Sequence, residues 1–275
     1  MITKLIAVLV IYATTFIPSS AAVAGEGGHY RGETMEFRLG KLVLSATQSS
    51  EDSGYFLRFS KGREELFYCD CAFKTNEPRT IRHAPLEDCR TLLAYCFSGG
   101  AHCCTTLFIA TECGSGESLD MADLGHSAAK VECIRSGETP GRVLKVQDWQ
   151  LAYYGPENSE FQLSFACSPA MTRLLVFDNG HWRADRAGEF SRFYSGLLRQ
   201  AEKRALHSAR IHQTELAASL SIKAAYYVLM SGRPVEDAVQ VLNRLFPKKW
   251  KFETAKIAQD ISRAASEFNP VETIR

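Results

Sequence analysis

The chain has 275 residues, 45% hydrophobic and 23% charged, with 32 Lys and Arg against 31 Asp and Glu. That is the composition of a folded globular protein, and it excludes a disordered chain. The near-zero net charge also excludes a strongly basic nucleic-acid binder.

Residues 1–24 read as a signal peptide. Lys4 precedes the apolar run Leu5–Ile17, Pro18-Ser19-Ser20 ends it, and Ala22-Val23-Ala24 offers small residues for cleavage. The run has 13 residues, short of the roughly 20 that span a bilayer. No later stretch reaches 18 apolar residues, so no transmembrane span is expected in the mature chain. Cleavage near Ala24 predicts a periplasmic or secreted protein. Nine cysteines, Cys69, Cys71, Cys89, Cys96, Cys103, Cys104, Cys113, Cys133 and Cys167, lie in one stretch, with none in the last 108 residues. In an oxidising compartment all nine are candidates for structural disulfides, and the odd count leaves one thiol free or paired between chains.

Residues 25–187 read as a β domain. Strands are expected over Phe37–Leu44, at Tyr55, Leu57 and Phe59 before Lys61-Gly62, and at Leu66 and Tyr68 after it. Further strands are expected over Thr91–Phe97, Thr105–Thr111, Lys130–Arg135 and Val143–Tyr153. Phe161, Leu163, Phe165 and Cys167 alternate with polar or small residues, a period of two. Leu174–Phe177 runs into Asp178-Asn179-Gly180 and His181-Trp182, and Asn-Gly is a strong tight-turn signal. Strand-turn units recur about every 35 residues, which suits an array of hairpins in a sandwich or propeller.

Residues 188–275 read as helical. Phe190, Phe193, Tyr194, Leu197, Leu198, Ala201 and Ala205 fall at helical spacing. A second helix covers roughly His212–Met230, with Gly232 at its end and Pro234 opening the third, which Pro247 stops. Ile257, Ala258, Ile261, Ala264, Ala265 and Phe268 mark a fourth. Short linkers predict antiparallel packing. Residues 25–180 hold 15 basic and 21 acidic residues, residues 181–275 hold 16 and 10. This asymmetry predicts that the halves dock, with the helices covering an open sheet edge. Weak contact of Lys248, Lys249 and Lys251, around Trp250, with an anionic surface is the sharper reading.

The most distinctive string is Ser98-Gly99-Gly100-Ala101-His102-Cys103-Cys104. It resembles the Ser-Gly-Gly-Ala-His-Cys-Cys signature of a group of exported bacterial proteins related to FG-GAP (VCBS) β-propeller repeats. Val143–Asp148 with Leu151–Tyr154 is similar to the group's next strand. Ser168-Pro169-Ala170 with Leu174–Gly180 is similar to its closing hairpin. The resemblance covers about residues 85–185 and implies a propeller-like fold more than an activity. It departs from the repeats at their calcium loops. Glu87-Asp88 and Glu157-Asn158-Ser159-Glu160 fall short of the six to eight oxygens that calcium takes, so no tight calcium site is expected.

Gly99 and Gly100 at a hairpin tip would place Cys96 roughly opposite Cys104 and make Gly99, Gly100 and His102 a candidate ligand-facing loop. His102, Cys103 and Cys104 are consecutive, and adjacent strand residues point to opposite faces, which argues against a tetrahedral zinc site. Cys69-Asp70-Cys71 puts two thiols on one face but lacks a helix N-terminus to activate them. Asp148 with Tyr153 and Tyr154 is the one suggestive carboxylate–aromatic group. No catalytic residue, metal or cofactor is assigned.

The reading is therefore α+β: a disulfide-stapled antiparallel β domain, a degenerate and partial propeller, followed by a helical domain. The expected function is a non-enzymatic binding or scaffold module of the bacterial cell envelope, with an envelope protein or glycan as partner. The alternatives are an envelope hydrolase or thiol enzyme, and an inhibitor or immunity-type protein against a cell-wall enzyme.

Overall fold

The computed structural model describes residues 34–48, 54–71, 79–83, 89–97, 105–114, 116–125, 131–139 and 141–274. Residues 1–24, expected to be a leader, lie outside the described residues, as do Glu87-Asp88 and the Ser98–Cys104 string.

Three antiparallel sheets follow one another along the chain. The first is β1 (Thr34–Leu39), β2 (Leu42–Gln48), β3 (Tyr55–Lys61) and β4 (Glu64–Cys71), paired in that order. The second holds β5 (Arg79–His83), β6 (Cys89–Phe97), β7 (Thr105–Cys113) and β8 (Gly116–Asp123), with β13 (Val271–Ile274) added beside β8. The third is β9 (Glu132–Arg135), β10 (Arg142–Asp148), β11 (Met171–Asp178) and β12 (His181–Ala184). Each set of four consecutive strands is an up-and-down meander, and all three sheets are open.

The sheets stack in chain order, which explains why β6 and β7 read as unbroken apolar runs. Leu92, Ala94, Cys96, Phe108 and Ala110 pack on Leu42, Leu44, Leu57 and Phe59 of the first sheet. Leu93, Tyr95, Leu107 and Ile109, on the opposite face, pack on Leu144, Val146, Leu175 and Trp182 of the third. Both faces of the middle sheet are buried, so no polar alternation remains. Each buried leucine or phenylalanine contributes about 1.5–3 kcal/mol, so both seams are hydrophobic in origin.

Four helices follow: α1 (Ser191–Arg210), α2 (Thr214–Met230), α3 (Val235–Leu245) and α4 (Thr254–Glu267). They cover a face of the third sheet, not an open edge as the charge asymmetry predicted. Val143, Leu174 and Val176 point into one core with Tyr194, Leu198, Ala218, Tyr226, Ile257 and Ile261. The strand period of two decides this, because the same strands send Leu144 and Leu175 to the other side. After α4 the chain crosses back and β13 pairs with β8, so the helical and β regions are interlaced. Among the described residues no helix is long and apolar enough to cross a membrane.

Several sequence expectations change. Phe37–Leu44 is two strands, because Gly40 takes φ +60° and turns the chain, with the turn held by the Lys41 amide donating to Glu117 Oε1 at 3.0 Å. That backbone hydrogen bond holds the Glu117 carboxyl below its usual range. Cys96 lies opposite Thr106 rather than Cys104, since the β6–β7 connection takes seven residues. β10 ends at Asp148, and the chain turns through Trp149–Tyr153. Phe161–Cys167 forms no strand: Phe161 and Leu163 are buried and Gln162 and Ser164 exposed, but residues 165–167 close into a 3-10 turn. The Asn179-Gly180 turn forms as expected, with φ of +51° and +89°.

α2 is buried along most of its length, and Lys223 sits within it. Burial, with Arg204 adding repulsion, pushes the Lys223 ammonium down to about 8 from 10.5. The folded pKa lies below the unfolded one, so between pH 8 and 10.5 the unfolded chain binds more protons and stability rises with pH. Below pH 8 the penalty is fully present. Lys223→Met is therefore expected to gain about 1 kcal/mol at pH 7 and almost nothing at pH 10.5, read by urea denaturation at both pH values.

Candidate binding groove

A groove of about 600 Å³ opens where the second and third sheets meet the end of α4. Its walls are the end of β8 and the residues after it (Asp123, Leu124, Gly125), the end of β10 and its turn (Asp148, Trp149, Tyr153), Phe165, and Glu267, Phe268, Asn269, Pro270 and Glu272. Asp123, Glu267 and Glu272 supply charge, and among the described residues no Lys, Arg or His lines the groove.

The local chemistry explains the aromatic wall. Asp148 ends β10, and its Oδ1 accepts the Gln150 amide at 2.9 Å, an Asx turn that breaks the strand. The Ala152 amide donates to the Trp149 carbonyl at 2.8 Å. Tyr153 then takes φ +54°, and its amide donates to Ser168 Oγ at 2.7 Å. A left-handed tyrosine costs about 1–2 kcal/mol, yet Tyr153 stays 42% exposed. Phe165 stacks on Trp149 at 6.3 Å and lies 5.3 Å from Tyr153. Three rings are thus arranged together in a groove instead of in the core.

Beneath the groove runs a buried polar chain. Tyr226 Oη donates to Asp148 Oδ2 at 2.9 Å and accepts from Arg173 Nη1 at 2.9 Å. Arg173 also donates Nε to Asp185 Oδ1 and Nη2 to the Asp185 carbonyl, both at 2.8 Å, and Nη1 to the Ala265 carbonyl at 3.0 Å. Tyr194 Oη donates to Asp185 Oδ2. The Arg173 guanidinium sits 4.4 Å from the centre of the Phe268 ring, which itself lines the groove. Burial pushes the Asp148 carboxyl up, and Gln150 and Tyr226 oppose it. Each Asp148 oxygen accepts one hydrogen bond, from the Gln150 amide and from Tyr226, which fixes the carboxylate in the groove floor. Across Arg173 lies a second cavity of about 630 Å³. There Arg183 pairs with Asp178 and Glu189, and Arg233 with Asp237.

The chain matches no protein-family model, no curated protein and no solved structure.

Of the residues singled out in sequence, Asp148 and Tyr153 meet in the groove. Tyr154 turns away, packs on Phe161 and donates to Asp260 at 2.9 Å. Gly99, Gly100, His102, Cys103 and Cys104 lie outside the described residues. Cys89 and Cys113 are joined across the β6–β7 hairpin, Cα atoms 4.3 Å apart. Cys96 meets Cys69 and Cys71. Cys133 and Cys167 carry no disulfide, which narrows the set of staples. Burial pushes the Cys167 thiol up, the opposite of an activated nucleophile. Lys248 and Lys249 are exposed and Lys251 half-buried, but Trp250 packs 4.7 Å from Phe161. That ring is engaged inside the protein, so the basic turn presents lysines without a free aromatic anchor.

One constellation has the residue types of a nucleophilic relay. Asp120 Oδ1 lies 3.1 Å from His181 Nδ1, and Thr273 Oγ1 donates to the same Asp120 oxygen at 2.9 Å. Thr273 also approaches His181 at Nδ1, at 3.3 Å. A relay needs the hydroxyl on one ring nitrogen and the carboxylate on the other. Here both share one nitrogen, and Asp120 Oδ2 takes the Trp182 amide at 2.9 Å. The group ties β8, β12 and β13 together.

Trp149, Phe165, Asp123, Glu267 and Glu272 were missed in sequence. Asp148-Trp149 at a strand end was the available signal. Glu267 and Glu272 reach the groove only through the return of β13 to β8, which no local pattern announces.

Proposed function

We propose that this chain is a non-enzymatic binding module of the bacterial cell envelope and that the groove holds its ligand. The observation that carries this reading is the strained, exposed Tyr153 ring set beside Trp149 and Phe165 in an open groove. Strain kept at an exposed position points to use. Disulfides between buried strands, with the leader-like residues 1–24, support export to the periplasm. The three stacked four-strand meanders have the size and order of propeller blades. With the Ser98–Cys104 string, they support kinship with the FG-GAP-related exported group, as a partial propeller whose last face the helices cover.

Tyr153→Gly tests the groove. Glycine adopts φ +54° without strain, so the variant is expected to keep or gain stability by about 1 kcal/mol. Removing the ring is expected to weaken ligand binding at least tenfold. Titration of wild type and variant with muropeptides and with soluble envelope oligosaccharides, followed by tryptophan fluorescence, reads both effects. A probe that binds both proteins equally rules out the groove, and no binding by any probe rules out these ligand classes.

A further inference from the structure

We propose that the exposed face of α1 docks the protein on an anionic phospholipid bilayer. Tyr194, Leu198, Ala201, Ala205 and Ser208 turn the opposite face of this helix into the core. Arg192, Arg199, Lys203 and Arg210 are exposed and follow one another at intervals of seven, four and seven residues. At about 100° per residue, those intervals bring all four within an arc of about 40°. They form one basic stripe about 27 Å long, at about 1.5 Å per residue. Among the described residues none of α1 lines the groove, so this surface is separate from the ligand site.

The fold leaves the charge of the stripe uncompensated. Glu202, the one acid of α1, stands about 80° round the helix from it and pairs with Arg244 of α3. Glu138, at the N-terminal end, accepts the Arg192 and Phe193 amides on its two oxygens, at 2.8 and 2.9 Å. Among the described residues no carboxylate forms an ion pair with any of the four stripe side chains. Arg192 stands in the first turn, where the helix dipole disfavours a cation, so helix stability does not account for it. α1 alone holds five basic residues and one acidic, most of the excess carried by residues 181–275.

Apolar side chains beside the cations select a bilayer over a nucleic acid. Leu206 is 46% and Ile211 48% exposed. Leu206 lies beside the stripe in the last turns of α1, and Ile211 follows the final residue of the helix. A helix whose open face carries cations and apolar side chains lies in the plane of the interface. The cations sit at lipid phosphates and the apolar side chains enter the acyl boundary. A nucleic-acid backbone would leave Leu206 and Ile211 without a partner. Each cation near an anionic bilayer adds about fivefold to binding. The Lys248, Lys249 and Lys251 turn lies between α3 and α4, and its Trp250 ring is held by Phe161. The contact is therefore assigned to α1 and not to that turn.

The test uses protein recovered from the cell envelope, sedimented with vesicles of phosphatidylcholine alone or mixed with phosphatidylglycerol. Binding is expected to the mixed vesicles only, and at least tenfold weaker when salt rises from about 0.05 to about 0.5 M. Arg199→Gln with Lys203→Gln is expected to weaken it at least tenfold, and Leu206→Gln with Ile211→Gln at least fivefold. Lys248→Gln with Lys249→Gln and Lys251→Gln is expected to leave it within about threefold of wild type. On the unsubstituted protein, which needs no variant to fold, mixed vesicles are expected to shield Lys203 from acetylation and leave Lys248 and Lys249 reactive. Equal binding to phosphatidylcholine, no binding to mixed vesicles, or full binding by either α1 variant overturns the assignment. Loss confined to the Lys248–Lys251 variant, or tighter binding to double-stranded DNA at equal phosphate, overturns it equally.

Discussion

Replacing Arg173 by leucine is expected to cost about 3–5 kcal/mol, because it leaves a buried carboxylate without its cation. Arg173 is 1% exposed and bonds Asp185, Tyr226 and the Ala265 carbonyl at once. It joins the third sheet to α2 and α4 through one side chain. Its removal strips Asp185 of the charge that opposes the burial pushing its carboxyl up. It also takes a donor from Tyr226, which holds Asp148 under the groove. A chain of this size should lose roughly 10 °C in Tm. Removing both charges, as Arg173→Leu with Asp185→Leu, should recover part of the loss, since an apolar pair pays no desolvation. Urea denaturation of the two single variants and the double one measures the coupling. Additive losses would show that the two side chains do not act as a pair.

Ending the chain at Ala187 is expected to abolish soluble expression of a folded monomer. The cut uncovers Val143, Met171, Leu174 and Val176, which pack on the helices. It deprives Asp185 of Tyr194 and Arg173 of Tyr226. It also removes β13, whose backbone covers the edge of β8 from Leu119 to Ala122. An uncovered strand edge beside an uncovered apolar face is an aggregation site. Size-exclusion chromatography with far-ultraviolet circular dichroism reads the outcome. A soluble monomer with intact sheet signal would mean that the helices are a separable domain.

Local chemistry made parts of this fold legible. The Asn179-Gly180 hairpin, the Lys61-Gly62 turn and the four helices each announce themselves through turn residues or a helical apolar stripe. Patterns with more than one physical cause misled. The alternation from Phe161 to Cys167 is real burial of Phe161 and Leu163, but a lone extended segment packing on helices gives the same period as a strand. Phe37–Leu44 looked continuous because Gly40 was a single glycine between two apolar stretches. β8 was not expected, since Asp120 interrupts its apolar face, and that carboxylate is buried only because His181, Trp182 and Thr273 converge on it. β13 is four residues long, and only the edge of β8 defines it as a strand. Of the groove, sequence supplied Asp148 and Tyr153. Phe165 joins Trp149 and Tyr153 across 16 and 12 residues, and Glu267 and Glu272 reach the groove across more than 100 residues of chain. The meeting of Cys69, Cys71 and Cys96 likewise follows from the stacking of two sheets, which spacing along one strand does not reveal.

The most direct test of an exported, oxidised binding module is intact-mass and non-reducing peptide mapping of protein recovered from the cell envelope, with free thiols blocked at lysis. The expected result is a mature N-terminus at Gly25, Cys89 linked to Cys113, Cys96 linked to Cys69 or Cys71, and Cys133 and Cys167 blocked without prior reduction. A chain that retains Met1 with all nine cysteines blocked would contradict export, the stapled seam between the sheets and the envelope role together.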